Sequence, residues 1–248
     1  MKRFWSAKEL RGRFYSPERF NNDAPFLAEI KKRSTTQTRI LDAGAGRGEK
    51  FSYNLKGCVA KMVGADLDPK VVDNPCLDFG VVTDLSQLPF PDGYFDLVFS
   101  RYVLEHIQHP KIFLTELRRV LRPDGQFVFL TPNKWHYMSL FSRLTPHRFH
   151  AFYNRLRGRL GEDTFPTVYR MNTRRTIRSL FSQAGFLEEK LYLLECNPNY
   201  LMFSTPSFLA GIAYERMVSF FAFLEDFRIN IIGVFRRKEL INLGKDDL

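Results

Sequence analysis

The sequence predicts an α/β protein whose core is a mostly parallel sheet. From Arg39 to about Thr131, short apolar runs alternate with segments of helical periodicity, which is the order of strands joined by crossover helices. Several of these runs are continuous rather than alternating, as expected of strands that are covered on both faces. A hydrophobic fraction of 44% over 248 residues is ordinary for a globular chain and argues against disorder.

Seven segments have the length and composition of strands. They are Thr38–Asp42, Ala60–Asp66, Gly80–Val82, Phe95–Ser100, Gln126–Thr131, Glu188–Leu194 and Ile229–Arg236. The best-defined helix follows Pro110, because apolar residues recur at helical spacing as far as Leu121 and Pro123 then ends the helix. Another helix is predicted over about Thr173–Ala184, where Gly185 ends it.

The chain divides into four predicted parts. Residues 1–35 are expected to form one or two amphipathic helices packed on the core, and residues 36–131 to form the cofactor-binding core itself. Residues 132–171 lack strand periodicity and are rich in aromatic residues and arginine, so we expect an insertion or lid over the substrate cleft. Residues 172–248 complete the core and carry an apolar insert at 196–227.

The composition narrows the choice of partners and location. Lysine and arginine number 37 against 27 acidic residues, and the net charge of +10 favours a phosphorylated substrate, nucleic acid or an anionic membrane face. The three cysteines form no CxxC pair and no His/Cys cluster, so neither zinc nor a disulfide framework is implied, and a cytoplasmic location is expected. The charged N-terminus has no apolar stretch of the kind found in signal peptides.

The most apolar stretch near the C-terminus is Tyr200–Leu224. It is interrupted by Pro206, Glu215 and Arg216, whereas a membrane-spanning helix needs about 20 predominantly apolar residues. A buried or partner-facing helix is therefore favoured over peripheral contact with a membrane, and a dimer interface is also open.

A glycine-rich segment, RILDAGAGRGEKF, follows the first predicted strand. It places Asp42 at the strand end, followed by Gly44, Gly46 and Gly48, and such a loop makes a tight turn that brings a ligand against bare backbone. Twenty residues after Gly46, the second strand ends at Asp66. An acidic residue at this spacing can accept hydrogen bonds from both hydroxyls of a ribose.

The loop favours a nucleoside without phosphates. Glu49 stands where a GxGxxG dinucleotide fingerprint has its third glycine, and the chain has no GxxxxGK[ST] element. S-adenosylmethionine (SAM) is a phosphate-free nucleoside, and Asp42 suits its positive charges. Asp84, after the third strand, is placed to accept from the adenine amino group, and Leu67 and Leu85 to sandwich the ring.

Five segments in this order, LDAGAGRGEKF, VGADLDP, TDLSQLPFPDGYFDLVFS, RYVLEHI and LRPDG, resemble the class I SAM-dependent methyltransferases. The resemblance covers about Arg39–Thr131 and is closest to their small-molecule type 11 branch. It implies a Rossmann-like sheet of seven strands, the last antiparallel. It also implies a cofactor site lined by Gly44, Gly46, Asp66, Leu67, Asp84 and Leu85, with Ser100 and Tyr102 near the methyl group.

The candidate catalytic residues follow the fourth strand, at the edge of the sheet where such folds bind ligands. His106 is a candidate general base, and the alternative is that Glu105 and His106 only orient the loop. Related ubiquinone-pathway O-methyltransferases carry another Glu three residues before this Glu-His pair, and the three can hold a metal. Tyr102 occupies that position here, so no metal is expected. For His136, His147 and His150, packing or surface roles are favoured.

The sequence lacks two motifs that mark other kinds of methyl transfer, to exocyclic amines and to the C5 atom of pyrimidines. Ser100-Arg101-Tyr102-Val103 stands where amine-directed enzymes have (N/D)PP(Y/F). No cysteine lies near the fourth strand for pyrimidine C5 chemistry, and the NPC at Asn74-Pro75-Cys76 precedes the third strand, so we interpret it as a coincidence.

A basic segment follows the fifth strand, in which only Glu162 and Asp163 oppose ten cations. The cations are Lys134, Arg143, Arg148, Arg155, Arg157, Arg159, Arg170, Arg174, Arg175 and Arg178. They indicate either an anionic substrate or a solvated basic face. With the apolar insert, they point to an amphiphilic acceptor, such as a lipid-linked or glycan substrate.

The sequence therefore predicts a SAM-dependent methyltransferase that methylates a small-molecule, glycan or lipid-linked acceptor, most plausibly on oxygen. An RNA or protein methyltransferase is the alternative that the net charge permits, and no DNA partner is expected. A non-catalytic SAM-binding protein and an NAD-dependent oxidoreductase are further alternatives. The oligomeric state is left open.

Overall fold

The computed structural model describes residues 6–16, 23–48, 54–144 and 166–239, with side chains described as far as residue 141 in the third range. Seven strands form one sheet. They are β1 (Arg39–Ala43), β2 (Lys61–Asp66), β3 (Phe79–Val82), β4 (Phe95–Arg101), β5 (Leu121–Pro132), β6 (Phe186–Leu194) and β7 (Asn230–Arg237). Their order across the sheet is β3-β2-β1-β4-β5-β7-β6, and β7 runs antiparallel to both of its neighbours. The predicted Rossmann-like sheet with an antiparallel last strand is confirmed.

Six α-helices lie in the described part of the chain. They are α1 (Ala7–Phe14), α2 (Ala24–Lys32), α3 (Pro110–Val120), α4 (Tyr137–Leu144), α5 (Arg174–Gln183) and α6 (Thr205–Phe220). The helix predicted after Pro110 is α3, in which proline occupies the first turn and Arg118 and Arg119 the last. α5 begins where the Thr173 side chain accepts a hydrogen bond from the Thr176 amide.

The two faces of the sheet are covered by separate apolar cores. On one face, α3 and α5 pack against β4, β5 and β7, where Phe127, Phe129, Phe181 and Phe235 are each at most 1% exposed. Their rings lie in mutual contact, with centroids 4.2 Å apart for Phe181 and Phe235. On the other face, α2 inserts Phe26 and Ile30. Burial of these rings explains much of the unusual phenylalanine content.

The first helix departs from the expectation that residues 1–35 pack on the sheet core. α2 does so, but α1 packs against α6 instead, forming a third cluster with Phe208 and Ile212. The Tyr15 hydroxyl, just after α1, donates to Glu215 of α6 over 3.2 Å. The N-terminal helix and the apolar insert therefore form one small layer beside the sheet.

Within the described residues, no helix is both long enough and apolar enough to cross a membrane. Residues 145–165 of the predicted lid, which include His147, His150, Arg148, Arg155, Arg157 and Arg159, lie outside the described residues, as does Glu49.

Candidate active site

The glycine loop joins β1 to the rest of the core and is shaped by left-handed backbone. Gly44, Gly46 and Gly48 all have positive φ, at 89°, 53° and 74°. A side chain at Gly44 would collide with Val103, and one at Gly48 would collide with Asn74. At Gly46, apart from its two chain neighbours, no described residue has a heavy atom within 4 Å of the position that a Cβ would take. The loop thus presents bare backbone to open space at Gly46.

Asp66 lies across this loop from the end of β2. One of its carboxylate oxygens accepts from the Gly46 amide at 2.7 Å, and the other accepts from the Asp68 amide at 2.8 Å. The side chain is partly exposed, not turned into the interior. Because each carboxylate oxygen accepts more than one hydrogen bond, Asp66 keeps capacity for the hydroxyls of a ribose.

Asn74 holds the loop from below. Its amide donates to the carbonyls of Ala45 and Gly46, at 3.2 and 3.1 Å, while its oxygen accepts from the Cys76 amide at 2.9 Å. The side chain is 6% exposed. We interpreted Asn74-Pro75-Cys76 as a coincidence from the sequence, and the role of Asn74 was not predicted. A side-chain hydrogen bond to a loop 28 residues away leaves no local pattern in a sequence.

Asp42 is the loop carboxylate nearest to the sheet. Burial and the neighbouring charge of Asp66 together raise the pKa of Asp42 to about 8, and Arg101 opposes this shift. The side chain is nevertheless partly exposed at the edge of the sheet. A cationic ligand beside Asp42 would favour the ionised carboxylate and would itself be stabilised by it.

The remaining predicted cofactor residues differ in their exposure to solvent. Leu67 is 55% exposed next to Asp66, and Asp84 is exposed with its carboxylate accepting from the Ser86 amide at 2.7 Å. Leu85, at 8% exposure, belongs to the apolar core, and Ser100 is fully buried with no hydrogen-bond partner for its hydroxyl. The structure therefore brings Leu67 and Asp84 to the surface near the loop, but not the side chains of Leu85 and Ser100.

Glu105 and His106 lie in a 3-10 turn, Leu104–His106, just after β4. His106 Nδ1 lies 3.0 Å from the Pro166 carbonyl, and because a carbonyl only accepts, this nitrogen carries a proton. In the neutral ring Nε2 is then the basic nitrogen, and it lies 4.0 Å from a Glu105 oxygen. The His106 ring is thus oriented by the Pro166 carbonyl, and its basic nitrogen lies near the Glu105 carboxylate.

Glu105 is anchored by a buried polar network. Its carboxylate accepts from the Thr131 hydroxyl at 3.1 Å, and Thr131 in turn accepts from the Asn172 amide at 2.6 Å. Burial raises the pKa of Glu105 to about 7. The Glu105 carbonyl also accepts from the amides of Val168 and Tyr169. Thr131 and Asn172 were not predicted from the sequence as members of the Glu105 network, because they come together only when β5 and the start of α5 meet.

Tyr102 has a strained backbone at the end of β4, with φ of 55° in a non-glycine residue. The guanidinium of Arg101 lies 4.8 Å from the centre of the Tyr102 ring and pairs with Asp23 at 2.6 Å. Burial raises the pKa of the Tyr102 hydroxyl, so this group stays protonated and acts as a donor. In the ranges that the structure describes, no group of three or more His, Cys, Asp or Glu residues is placed to hold a metal ion.

Three of the four arginines of the basic segment whose side chains are described, Arg170, Arg174 and Arg178, have partners within the fold. Arg174 pairs with Glu225 and Asp226 at 2.8 and 3.3 Å, and Arg178 forms a bidentate pair with Glu188. The sequence showed Glu162 and Asp163 as the acids within the basic segment. The acids that pair with these arginines lie elsewhere, Glu225 and Asp226 in the apolar insert and Glu188 in β6. Of the segment's three histidines, His136 lies within the described residues. It is 1% exposed, in agreement with a packing role.

A family model described as a methyltransferase domain matches residues 41–129 of this chain. The match contains the glycine loop, Asp66, Asp84 and the Glu105–His106 turn. Residues 41–129 thus resemble a methyltransferase domain. SAM is the cofactor of this class of domain, so the resemblance inferred from the sequence is confirmed over the core.

Curated relatives match over about two fifths of this chain. The chain is 32% identical over 106 residues to a ubiquinone/menaquinone biosynthesis C-methyltransferase of Burkholderia multivorans, a stretch that covers 39% of this chain and 44% of the relative. It is 35% identical over 100 residues to a probable S-adenosylmethionine-dependent methyltransferase of Mycolicibacterium smegmatis, covering 38% of each. The chain thus spans less than half the length of these relatives.

Solved structures resemble the chain over almost its whole length. A Haloferax volcanii complex containing the Trm112 methyltransferase activator includes a chain with a TM-score of 0.61 at 19% identity, covering 94% of this chain and 96% of that one. The geranyl diphosphate C-methyltransferase of Streptomyces coelicolor has a TM-score of 0.55 at 16% identity, with 88% and 76% covered. The [4+2]-cyclase SpnF gives 0.55 at 17%, with 87% and 80% covered. These likenesses establish the fold around the methyltransferase domain.

Proposed function

We propose that this chain transfers a methyl group from SAM to a small amphiphilic acceptor by in-line displacement. The observation that carries the proposal is the open space at Gly46, bounded by Asp66. Among the described residues nothing approaches the position that a Cβ of Gly46 would take, and the Asp66 carboxylate lies 2.7 Å from the Gly46 amide. A nucleoside lying against the loop would meet both groups at once.

The residues present fit SAM better than a dinucleotide. Asp42 and Asp66 place two acidic groups beside the loop, which suits a sulfonium and an ammonium and would repel a pyrophosphate. Exposed Leu67 offers an apolar wall, and exposed Asp84 an acceptor for an adenine amine. When bound, SAM supplies a methyl group already activated by positive charge, so the protein chiefly positions the nucleophile and excludes water.

We infer that His106 accepts the proton of the acceptor, with Glu105 balancing the charge that develops on the ring. Nε2 of His106 is the basic nitrogen and faces Glu105 at 4.0 Å. The Tyr102 hydroxyl stays protonated and can orient the substrate by donating a hydrogen bond to it. We propose a hydroxyl as the methylated group. An acidic carbon is the specific alternative, because the Burkholderia relative and the Streptomyces structure are both named as C-methyltransferases.

We infer a lipid-linked or glycan acceptor from the apolar insert beside the site. Cys196 and Tyr200, at the start of that insert, lie near Tyr102 and so near the candidate catalytic turn. An RNA or protein acceptor finds less support, because three described arginines of the basic segment, Arg170, Arg174 and Arg178, are engaged within the fold. The fold alone does not define the reaction, since SpnF is a cyclase.

Calorimetric titration with SAM tests the cofactor site. We expect Asp66→Ala to weaken SAM binding by about 10- to 100-fold, since a charge-assisted hydrogen bond contributes about 1.5–3 kcal/mol. Asp73→Ala is the matched control, because Asp73 is an exposed aspartate of the nearby Pro69–Asp73 turn, and it should bind SAM as the wild type does. Equal affinity for SAM in both variants would refute the proposed site.

Incubation with isotope-labelled SAM and fractionated extract, followed by mass spectrometry, tests the acceptor class. We expect the label in the lipid or glycan fraction, on an oxygen. Label in RNA or protein would refute the proposed acceptor class while leaving the cofactor site intact. Binding of SAM with no transfer to any fraction would favour a non-catalytic protein, and binding of NAD instead would favour an oxidoreductase.

A further inference from the structure

Helix α6 has an unusual distribution of side chains between its two faces. The face packed on α1 and the core carries Phe208, Ile212 and Val218, but also the chain's buried Glu215. The opposite face is open to solvent and is almost wholly apolar. Its exposed residues are Pro206, Leu209, Ala210, Ala213, Arg216, Met217 and Phe220, together with Ser219. An ordinary surface helix has the reverse arrangement, with its charges outside.

The apolar face continues past both ends of α6. Phe203 lies just before the helix and is 67% exposed. Phe220, Phe221 and Phe223 follow at its end, exposed by 81%, 43% and 77%. Their rings touch one another, with centroids 5.0 Å apart for the first pair and 5.4 Å for the second. Several protruding aromatic rings in contact are rare on a surface that faces only water.

The charges around this face are arranged for an anionic neighbour. α1, which packs beside α6, exposes Lys8 and Arg13, and α6 itself exposes Arg216. The one acid of α1, Glu9, accepts hydrogen bonds from Ser6 in a capping box. Beyond Phe223, Glu225 and Asp226 are held by Arg174, at 2.8 and 3.3 Å.

We propose that the α1–α6 layer binds the surface of an anionic phospholipid bilayer. The docking face consists of the exposed apolar residues from Phe203 to Phe223, with Arg216 among them and the exposed cations of α1 in the layer behind. Protruding phenylalanines enter the acyl boundary of a bilayer without needing a complementary shape, whereas a protein partner would require matching hollows. The neighbouring cations add attraction to anionic headgroups, and the chain's net charge of +10 acts in the same direction.

Docking in this way goes beyond methyl transfer and does not depend on SAM. It would bring the insert, whose start lies next to Tyr102, to the depth at which an acceptor carrying a lipid tail is found. The face therefore gives the protein access to such an acceptor.

Flotation with lipid vesicles, in the absence of SAM, tests the proposal. We expect the full chain to bind vesicles of phosphatidylcholine and phosphatidylglycerol, and to bind pure phosphatidylcholine at least about tenfold more weakly. Phe220→Ser combined with Phe223→Ser should lower the partition coefficient on the anionic vesicles by at least about tenfold. Val72→Ser combined with Ile112→Ser is the matched control, since both side chains are exposed on other elements, and its binding should be unchanged.

A reporter that keeps the face apolar covers the case in which the serine variant fails to fold. Phe223→Trp should show a blue-shifted emission, relative to the wild-type spectrum, when anionic vesicles are added. Absence of vesicle binding by the wild type, or equal binding by the serine variant, would overturn the proposal. So would a concentration-dependent dimer, seen by analytical ultracentrifugation, that the serine variant abolishes while vesicles bind neither protein. Loss of SAM affinity in the calorimetric test would leave these results unaffected.

Discussion

Acidic side chains gather in two places in this molecule, and their surroundings differ. At the glycine loop, Asp42 and Asp66 are partly exposed and border the open space at Gly46. Beneath α6, Glu195 and Glu215 are enclosed at 5% and 7–9% exposure. Both places hold two carboxylates, so charge alone does not mark a ligand site. The open backbone beside the first pair is what distinguishes it.

In the enclosed region, burial keeps Glu195 and its neighbour His136 uncharged. Glu195 accepts from the amides of Cys196 and Ile229, both at 3.1 Å, and burial raises its pKa to about 8. His136 lies 3.9 Å away, and burial lowers its pKa to about 3. One cause thus moves an acid and a base in opposite directions, and neither is charged at neutral pH. A perturbed pKa there reflects packing, whereas at the loop it is coupled to an accessible surface.

The largest contrast is expected in turnover. With the acceptor in hand, Glu105→Gln should lower kcat by about 100-fold, because the developing charge on His106 loses its counter-ion. Glu195→Gln, a matched change in the enclosed region, should leave kcat within about twofold. The wild-type rate should rise with pH through about 7, since Glu105 supports His106 only when it is ionised. A Glu105→Gln enzyme with normal kcat and an unchanged pH profile would reduce Glu105 to a loop anchor.

A second contrast lies within the loop, between two glycines. Gly46→Ala should weaken SAM binding roughly 30-fold, since overpacking a contact costs about 1–3 kcal/mol, while the new side chain meets no protein atom. Gly48→Ala should instead lower the free energy of unfolding further than Gly46→Ala does, because its side chain would meet Asn74. Calorimetry and urea titration of the two variants measure both effects. Full SAM affinity in Gly46→Ala would show that the ligand does not approach this backbone.

The pH dependence of cofactor affinity sharpens the comparison further. The pKa of Asp42 is about 8, and a cation binds its ionised form, so SAM affinity should rise about tenfold from pH 7 to pH 9 and then level off. Binding at pH 7 should release a proton, which calorimetry in buffers of different ionisation enthalpy detects. Asp42→Asn should remove the dependence. A flat affinity profile in the wild type would separate Asp42 from the ligand.

The smallest effect concerns stability beneath α6. The pKa of Glu195 is raised in the fold, so the native state holds an extra proton between about pH 4.5 and 8, and this residue's contribution to stability falls as pH rises through that window. Glu195→Gln cannot titrate. Its free energy of unfolding, relative to wild type, should therefore improve as the pH rises from about 5 to about 8.5, as measured by urea titration. Parallel stability curves would contradict a protonated Glu195.

Sequence reasoning succeeded where function is written into local spacing. Every predicted strand is found, because strands covered on both faces are continuous apolar runs, and Gly46 and Asp66 meet as the twenty-residue spacing requires. Residues that act across long separations escaped it. Asn74 beneath the loop, Asn172 behind Thr131, and the acids that pair with Arg174 and Arg178 come together only after the sheet is assembled. Side-chain direction was equally invisible, so Ser100 was predicted at the site although it is buried.

The contact between Tyr15 and Glu215 joins residues 200 positions apart in the chain. During synthesis at about 5–20 residues per second, the first helix would wait on the order of 10–40 s before its partner left the ribosome. Until then the apolar side of α1 lacks its cover by α6, so α1 completes its packing only after the 200 residues that follow Tyr15, up to Glu215, have been made.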